Sequence, residues 1–366
     1  MSTIIQVVQH LRPGGIEIIA LDLLDCAQNN EKTIIVSLEG ELESAIKHWP
    51  KLEAYRKHLI FVNKQPGLRP SLVKTLMTIF KNTEADAIHT HHIGPLLYAG
   101  LAARLIGIKH LTHTEHDAWH LENKKRCLIQ RLAVKTLQPT LVADAQAVAD
   151  NMQKKLQCDN KIIVIRNGIN SEKFMPGDQF IARKQFSLPT NVQIIGCSGR
   201  MEKVKGQSVL INALAALPAN IHVAFAGSGS TEKSLRTLVN KLNLSKRVHF
   251  LGHIDQMPTF YQSLDLFCLP SLNEGFPLSP LEAQSCNIKT LVTDVGASKE
   301  TLCPNSGEFV VANDPQAMAN ALFSMLSNTI NTHPREFVQL HGDVHRMAKS
   351  YAALRQTVAV SGACYE

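Results

Sequence analysis

Pro270-Ser271-Leu272-Asn273-Glu274-Gly275-Phe276-Pro277-Leu278-Ser279-Pro280-Leu281-Glu282-Ala283 is the stretch on which the reading of this chain turns. It follows an apolar run, Leu264 to Leu269, with the length and composition of a strand buried in a parallel sheet. Gly275, Pro277 and Pro280 then mark a turn, and Leu281-Glu282-Ala283-Gln284 predicts the first turn of a helix. Strand, rigid loop and helix start bring backbone N–H groups to the carboxyl end of a strand, where α/β sheets hold anions such as phosphates. Glu274 and Glu282 would repel a phosphate, and fit better as acceptors for hydroxyls, one on a ribose and one on a sugar. The stretch predicts a nucleotide-sugar pocket.

A chain of 366 residues suits two domains of about 170 residues each better than one core. No apolar run approaches the roughly 20 residues that span a bilayer. Met1-Ser2-Thr3-Ile4-Ile5 leads directly into a strand without a basic segment or cleavage site, so a cytoplasmic protein is expected. Eight scattered cysteines without CxxC pairs favour reduced thiols over disulfides or a zinc site. A net charge of +7 suits anionic phosphates or peripheral contact with an acidic membrane, and no motif suggests nucleic acid.

The first domain, 1–175, opens with strand Ile4–Val8 and a Gly14-Gly15 turn. Ile16, Ile19, Ala20 and Leu23 then recur at helical spacing. Thr33–Leu38 and His58–Val62 read as strands, and Arg69–Lys81 as an amphipathic helix. Ala85 to His92 is a strand ending in a histidine-rich loop, Gly94–Gly107 an apolar helix, and Lys109–Thr112 a strand ending in His113-Thr114-Glu115-His116-Asp117-Ala118-Trp119-His120. His113, His116 and His120 with Glu115 and Asp117 could ligate a metal, His116 and His120 sharing a helical face. The spacing is not HExxH, however, and no cysteine lies at ligand spacing. Lys124, Lys125, Arg126 and Arg131 interleave with Leu128, Ile129 and Leu132, a basic amphipathic pattern that is either a solvated face or one that meets anionic lipid or a lipid-linked acceptor. Strands at Thr140–Ala143 and Lys161–Ile165 follow, then an Asn167-Gly168 turn and a linker over Met175–Thr190.

The second domain, 190–340, opens with strand Val192–Cys197 and then Gly199-Arg200, with Lys205 five residues on. A guanidinium fork and an ammonium point charge after a glycine suit a diphosphate. Strand Ile221–Ala226 leads into Gly227-Ser228-Gly229, and Lys289–Thr293 is the strand after the Glu282 helix. Asn313-Asp314-Pro315 caps a helix to Leu326, and Val344–Val358 is helical.

The seven residues between Glu274 and Glu282, with Ala283 and Thr293 to Glu300 downstream, resemble the E-x7-E element of retaining glycosyltransferases of family 4. That resemblance implies an α/β, GT-B fold: two Rossmann-like domains facing across a cleft, with the last helix (341–366) returning to the first. It implies that Glu274 faces the donor sugar and Glu282 binds the ribose. Gly14, Gly15 and Glu17 resemble the family's GG-x-E loop, and His116 occupies the place of its histidine directed at the reacting sugar. Asn167-Gly168-Ile169 matches the passage before the domain crossing, with Asn170 where aspartate is usual. Gly199-Arg200 with Lys205-Gly206 and Gly227 with Gly229 match the diphosphate-binding segments. Gly252 and Ile254 match the base-binding turn, and Gly275, Phe276, Pro277, Leu278 and Ser279 the donor loop. The catalytic set implied is thus His116, Arg200, Lys205 and Glu274.

The implied function is transfer of a sugar from a UDP- or GDP-sugar to a hydroxyl of a glycan or lipid-linked acceptor. The anomeric configuration would be retained and no metal or other cofactor used, in cell-surface polysaccharide or lipopolysaccharide assembly. Three readings compete: a nucleotide-sugar epimerase, a metal-dependent hydrolase using His113, His116 and His120, and a non-catalytic partner subunit of the same fold.

Overall fold

The computed structural model describes residues 2–117, 119–157, 161–328 and 333–361, the last six by backbone alone. The chain forms two compact units, Met1–Asn167 with Val344–Glu366, and Gly168–Asp343.

The first unit is built on a seven-stranded parallel sheet. Its strands are β1 (Ser2–Val8), β2 (Glu31–Ser37), β3 (Leu59–Phe61), β4 (Ala87–His91), β5 (His110–Glu115), β6 (Thr140–Ala143) and β7 (Ile163–Val164). They lie in the order β3-β2-β1-β4-β5-β6-β7. Near-continuous burial of β1 and β4 is what a sheet covered by helices on both faces demands. Val8, Leu21, Ile35, Leu52 and Leu59 form one of its core clusters. The helix Val344–Ser361 packs into this unit, where Tyr351 is buried and its hydroxyl meets Thr114 Oγ1 at 3.0 Å.

The second unit carries a six-stranded sheet, β8 (Gln193–Ser198), β9 (Ile221–Ala226), β10 (Val248–Phe250), β11 (Leu266–Leu269), β12 (Lys289–Thr293) and β13 (Gly307–Val310), in the order β10-β9-β8-β11-β12-β13. All its pairings are parallel, and Ile195, Phe225, Leu266, Leu291, Met318 and Leu322 join in one core. In each sheet the strand order reverses once, between β1 and β4 and between β8 and β11. Such switch points splay the outgoing loops apart and open a crevice at the carboxyl ends of the strands. Two Rossmann-like sheets are the GT-B elements.

Three expectations need correction. The crossing into the second unit falls at Gly168, not at 175. The span read as a linker contains the helix Gln179–Gln185, capped by Asp178 and belonging to the second unit. Arg183 pins it: its guanidinium is buried, bonds Asp265 at 2.6 Å and donates to the carbonyls of Ser263 and Val192. Finally, β5 runs through His113, Thr114 and Glu115 instead of ending at Thr112. Their polarity reads as a loop, yet they are buried and hydrogen-bonded to one another and to neighbouring elements.

Candidate functional site

In the second unit, the loops leaving β8, β9, β11 and β12 approach one another backbone to backbone. Gly227 has φ +139°, and a Cβ there would run into the Gly199 carbonyl. Gly296, φ +53°, lies against the Glu274 carbonyl in the same way. No side chain fits either place, so glycine is what lets these loops close on one another. Gly227 N–H also donates to Gly252 O at 2.7 Å, and Ala297 N–H to Gly275 O at 3.0 Å.

On this frame sit the charged groups. Lys205, at the end of the turn Lys203–Lys205, donates through Nζ to Glu274 Oε1 at 2.6 Å, and Ser271 Oγ donates to the same oxygen at 2.6 Å. Glu274 is buried, so this charge-assisted pair is shielded from most competing water. Arg200 extends into solvent beside them in sequence. Glu282, in the helix Ser279–Ser285, accepts from Tyr261 Oη at 2.6 Å, and Tyr261 Oη also meets Ser198 Oγ at 3.0 Å. Burial and the neighbouring Glu282 push the Tyr261 hydroxyl well above its ordinary pKa, which keeps it a donor. Gln284 is buried and ties the same helix to Thr301 O and Cys303 N–H. Phe276, Pro277 and Leu278 are buried, whereas Gly275, Ser279, Gly252 and Ile254 are partly open.

In the first unit, Gly14 caps the helix Gly15–Asp25, and Glu17 in its first turn is buried and reaches His10 Nδ1 at 3.1 Å. Gly15 has open space where a Cβ would stand. His116 follows β5 and both its ring nitrogens are engaged, Nε2 with His91 Nδ1 at 2.9 Å and Nδ1 with Asp144 Oδ2 at 3.3 Å. Burial drives its pKa down to about 3, with His92 adding to the effect. His113 and His120 face elsewhere, towards the buried Glu115, with Nε2–Oε1 separations of 3.0 and 3.6 Å. Burial alone would raise Glu115, but bonds from His113 and His92 hold it below the usual carboxylate range. His92 holds φ 69° and ψ 165°, a region otherwise left to glycine, and its ring lies 3.6 Å from Glu115 Oε2.

The structure therefore brings Lys205 and Glu274 together and divides the histidines. His116 and His120 do not share a helical face, because His116 stands in a bend after β5 and His120 in the short turn Trp119–Glu122. His116 turns to His91 and Asp144, so the three histidines do not converge on one point. Among the described residues no group of three His, Cys, Asp or Glu could hold a metal ion. The sequence reading did not single out Gln6, His91, Gln130, Ser271 or Tyr261. A polar residue inside an apolar strand, as Gln6 is within Ile4–Val8, was the available signal for the first. No helix among the described residues is long and apolar enough to cross a membrane.

Comparison with known proteins matches residues 178–339 to the family described as glycosyl transferases group 1, and residues 13–173 to glycosyltransferase family 4. A D-inositol 3-phosphate glycosyltransferase of Corynebacterium urealyticum is 30% identical over 270 residues, 66% of this chain and 63% of that protein. A lipopolysaccharide core biosynthesis mannosyltransferase of Rhizobium meliloti is 30% identical over 221 residues, 56% of this chain and 60% of that protein. The alignments thus span 63% and 60% of the length of these curated relatives. In fold, an Anabaena protein, HepE, crystallised with UDP, superposes with a TM-score of 0.83 over 98% of this chain and 100% of its own, at 20% identity.

Proposed function

The chain belongs to the glycosyltransferases of group 1 and family 4, and on that premise we propose that it moves a sugar from a nucleoside diphosphate sugar to an acceptor hydroxyl with retained configuration. The observation that carries the reading is the Lys205–Glu274 pair, held at 2.6 Å at the switch point of the second sheet. Glu274 takes both of these bonds on Oε1, so its Oε2 suits a donor-sugar hydroxyl. Glu282, oriented by Tyr261, suits the ribose hydroxyls, and Arg200 is a free fork for the diphosphate. Gly199, Gly227, Gly252, Ile254 and the loop from Gly275 to Ser279 would line the donor.

The chemistry is then a front-face substitution. The bond from the anomeric carbon to the diphosphate oxygen breaks as the acceptor oxygen bonds to the same face. The acceptor proton passes to an oxygen of the departing diphosphate, so no protein base is needed. Arg200, Lys205 and backbone N–H groups near Leu278 and Ser279 neutralise the charge that grows on the leaving group. These cations do the work a metal would do, and transfer should persist in chelator. UDP in a structural neighbour supports a uridine donor, and the lipopolysaccharide relative supports a glycan or lipid-linked acceptor. Leu128, Ile129 and Leu132 are exposed on the basic helix Lys124–Leu137, which supports peripheral contact with anionic lipid.

Calorimetry with UDP, GDP and ADP tests the donor site, and NMR of the product's anomeric proton tests retention. Tight binding of one nucleotide and an unchanged anomer are expected. Binding of none, or inversion, would sink the reading.

A further inference from the structure

We propose that Gln6 and His91 are positioning residues for His116, the Gln6 amide setting the polarity of a buried hydrogen-bond chain that runs Gln6–His91–His116–Asp144–Asn167. The inference rests on the reading of His116 as part of the reaction site and adds residues that reading does not name.

The polarity follows from bonding rules. Gln6 is buried in β1, and its amide nitrogen donates to Ala20 O at 3.3 Å. A carbonyl cannot donate, so the other end of the amide, facing His91 Nε2 at 3.2 Å, is the acceptor oxygen. His91 must then carry its proton on Nε2. Buried, and pressed at 4.2 Å by the ring of His89, His91 is held neutral, its pKa well below the ordinary value through burial first and the neighbouring histidines second. Its Nδ1 is therefore a bare lone pair, and His116 Nε2, 2.9 Å away, must supply the proton between them. His116 is neutral for the same reason, so its Nδ1 is bare as well. Two lone pairs cannot face each other at 3.3 Å, and the group opposite, Asp144 Oδ2, must be the donor.

Asp144 suits that role. It is buried, its pKa lies well above the usual carboxylate range through burial, and Asn167 Nδ2 donates to the same oxygen at 2.8 Å. A carboxyl kept protonated by its surroundings to donate a hydrogen bond is a known device. The chain thus holds His116 by both ring nitrogens in a single tautomer, and stores one proton on Asp144. His116 consequently acts in the site by position and polarity, not as a base.

The test uses the full chain with histidine labelled in its ring nitrogens, read by long-range proton–nitrogen correlation at neutral pH. His91 and His116 are expected neutral, each protonated on Nε2. Gln6→Glu replaces the amide by a carboxylate, which draws every proton one step towards it. His91 becomes imidazolium, His116 swaps to Nδ1–H, and Asp144 becomes ionised, with no net change in bound protons. The variant should lower kcat about 10-fold or more while KM for the donor holds. Gln6→Met, similar in size but without the acceptor, should leave His91 a mixture of tautomers. His116 found as Nδ1–H or as a cation in the wild type overturns the chain, whether or not either variant folds. A Gln6→Glu protein that swaps the tautomer but keeps kcat overturns the positioning role. Wild-type protein that transfers no sugar sinks the reaction itself, while the ring tautomers still decide the chain.

Discussion

The two switch points solve the same problem with opposite materials. In the second unit, the charged groups other than the buried Glu274 are exposed or half-buried, and the frame beneath them is backbone: glycines at 227 and 296, and the carbonyls they touch. In the first unit the groups are neutral, buried and polar, and the frame is the side chains themselves, from Gln6 to Asn167. Under the proposed function, the difference suits what each would meet. A diphosphate arrives with its own charge and calls for cations kept near water until it binds. A buried imidazole instead needs fixed polarity, which hydrogen bonds at both of its ring nitrogens provide.

Substitutions sharpen that contrast in descending order. Arg200→Ala should lower kcat by at least about 10²-fold at unchanged stability, because it removes charge needed as the diphosphate leaves. Near-normal turnover in a steady-state assay would remove Arg200 from that role. Glu282→Ala should weaken nucleotide affinity about 10-fold, the loss of a hydrogen bond to a charged group, with a smaller effect on kcat. Equal calorimetric affinities for the two proteins would undo the ribose assignment. Tyr261→Phe keeps the ring and removes the hydroxyl's bonds to Glu282 and Ser198, so affinity should fall a few-fold, and by more for a ribonucleotide than for its 2′,3′-dideoxy form. A loss equal for both nucleotides would make Tyr261 a packing residue only.

The smallest effect belongs to the first unit. Burial would lower the His120 pKa, but Asp117, Glu115 and Gln130 together push it up to about 9. The folded state therefore binds this proton more tightly than the unfolded chain, whose value is about 6.5. The stabilisation is complete below about pH 6.5 and is lost as pH rises towards 9. Partial contact with solvent keeps it modest. Melting temperatures of wild type should decline across that window, and His120→Gln should flatten the slope. Parallel curves would show that His120 does not carry it.

How much was legible differs between the units for a physical reason. Ile221–Ala226 and Lys289–Thr293 are strands with the ends read from the residues, since β-branched and apolar runs between turn residues leave few alternatives. Glu274 and Lys205 could be named because each sits at a fixed offset from a glycine or proline that sets the local turn. β5 was cut short, and three histidines were grouped by their spacing along the chain. Spacing reports only which residues share a local face. His91 and His116 meet because β4 and β5 pair in register, and Asp144 joins them from just past the end of β6.

By itself, then, the sequence carried the class of fold and the glycines and charged residues of the second unit, through short-range backbone preference, hydrophobic period and the resemblance of its motifs to family 4. Only the tertiary structure decided where the chain crosses between units, that Arg183 anchors a helix inside the supposed linker, and that His116 has no ring nitrogen to spare. Those outcomes depend on contacts between distant strands, and a parallel sheet assembles its carboxyl edge from segments that the sequence holds far apart.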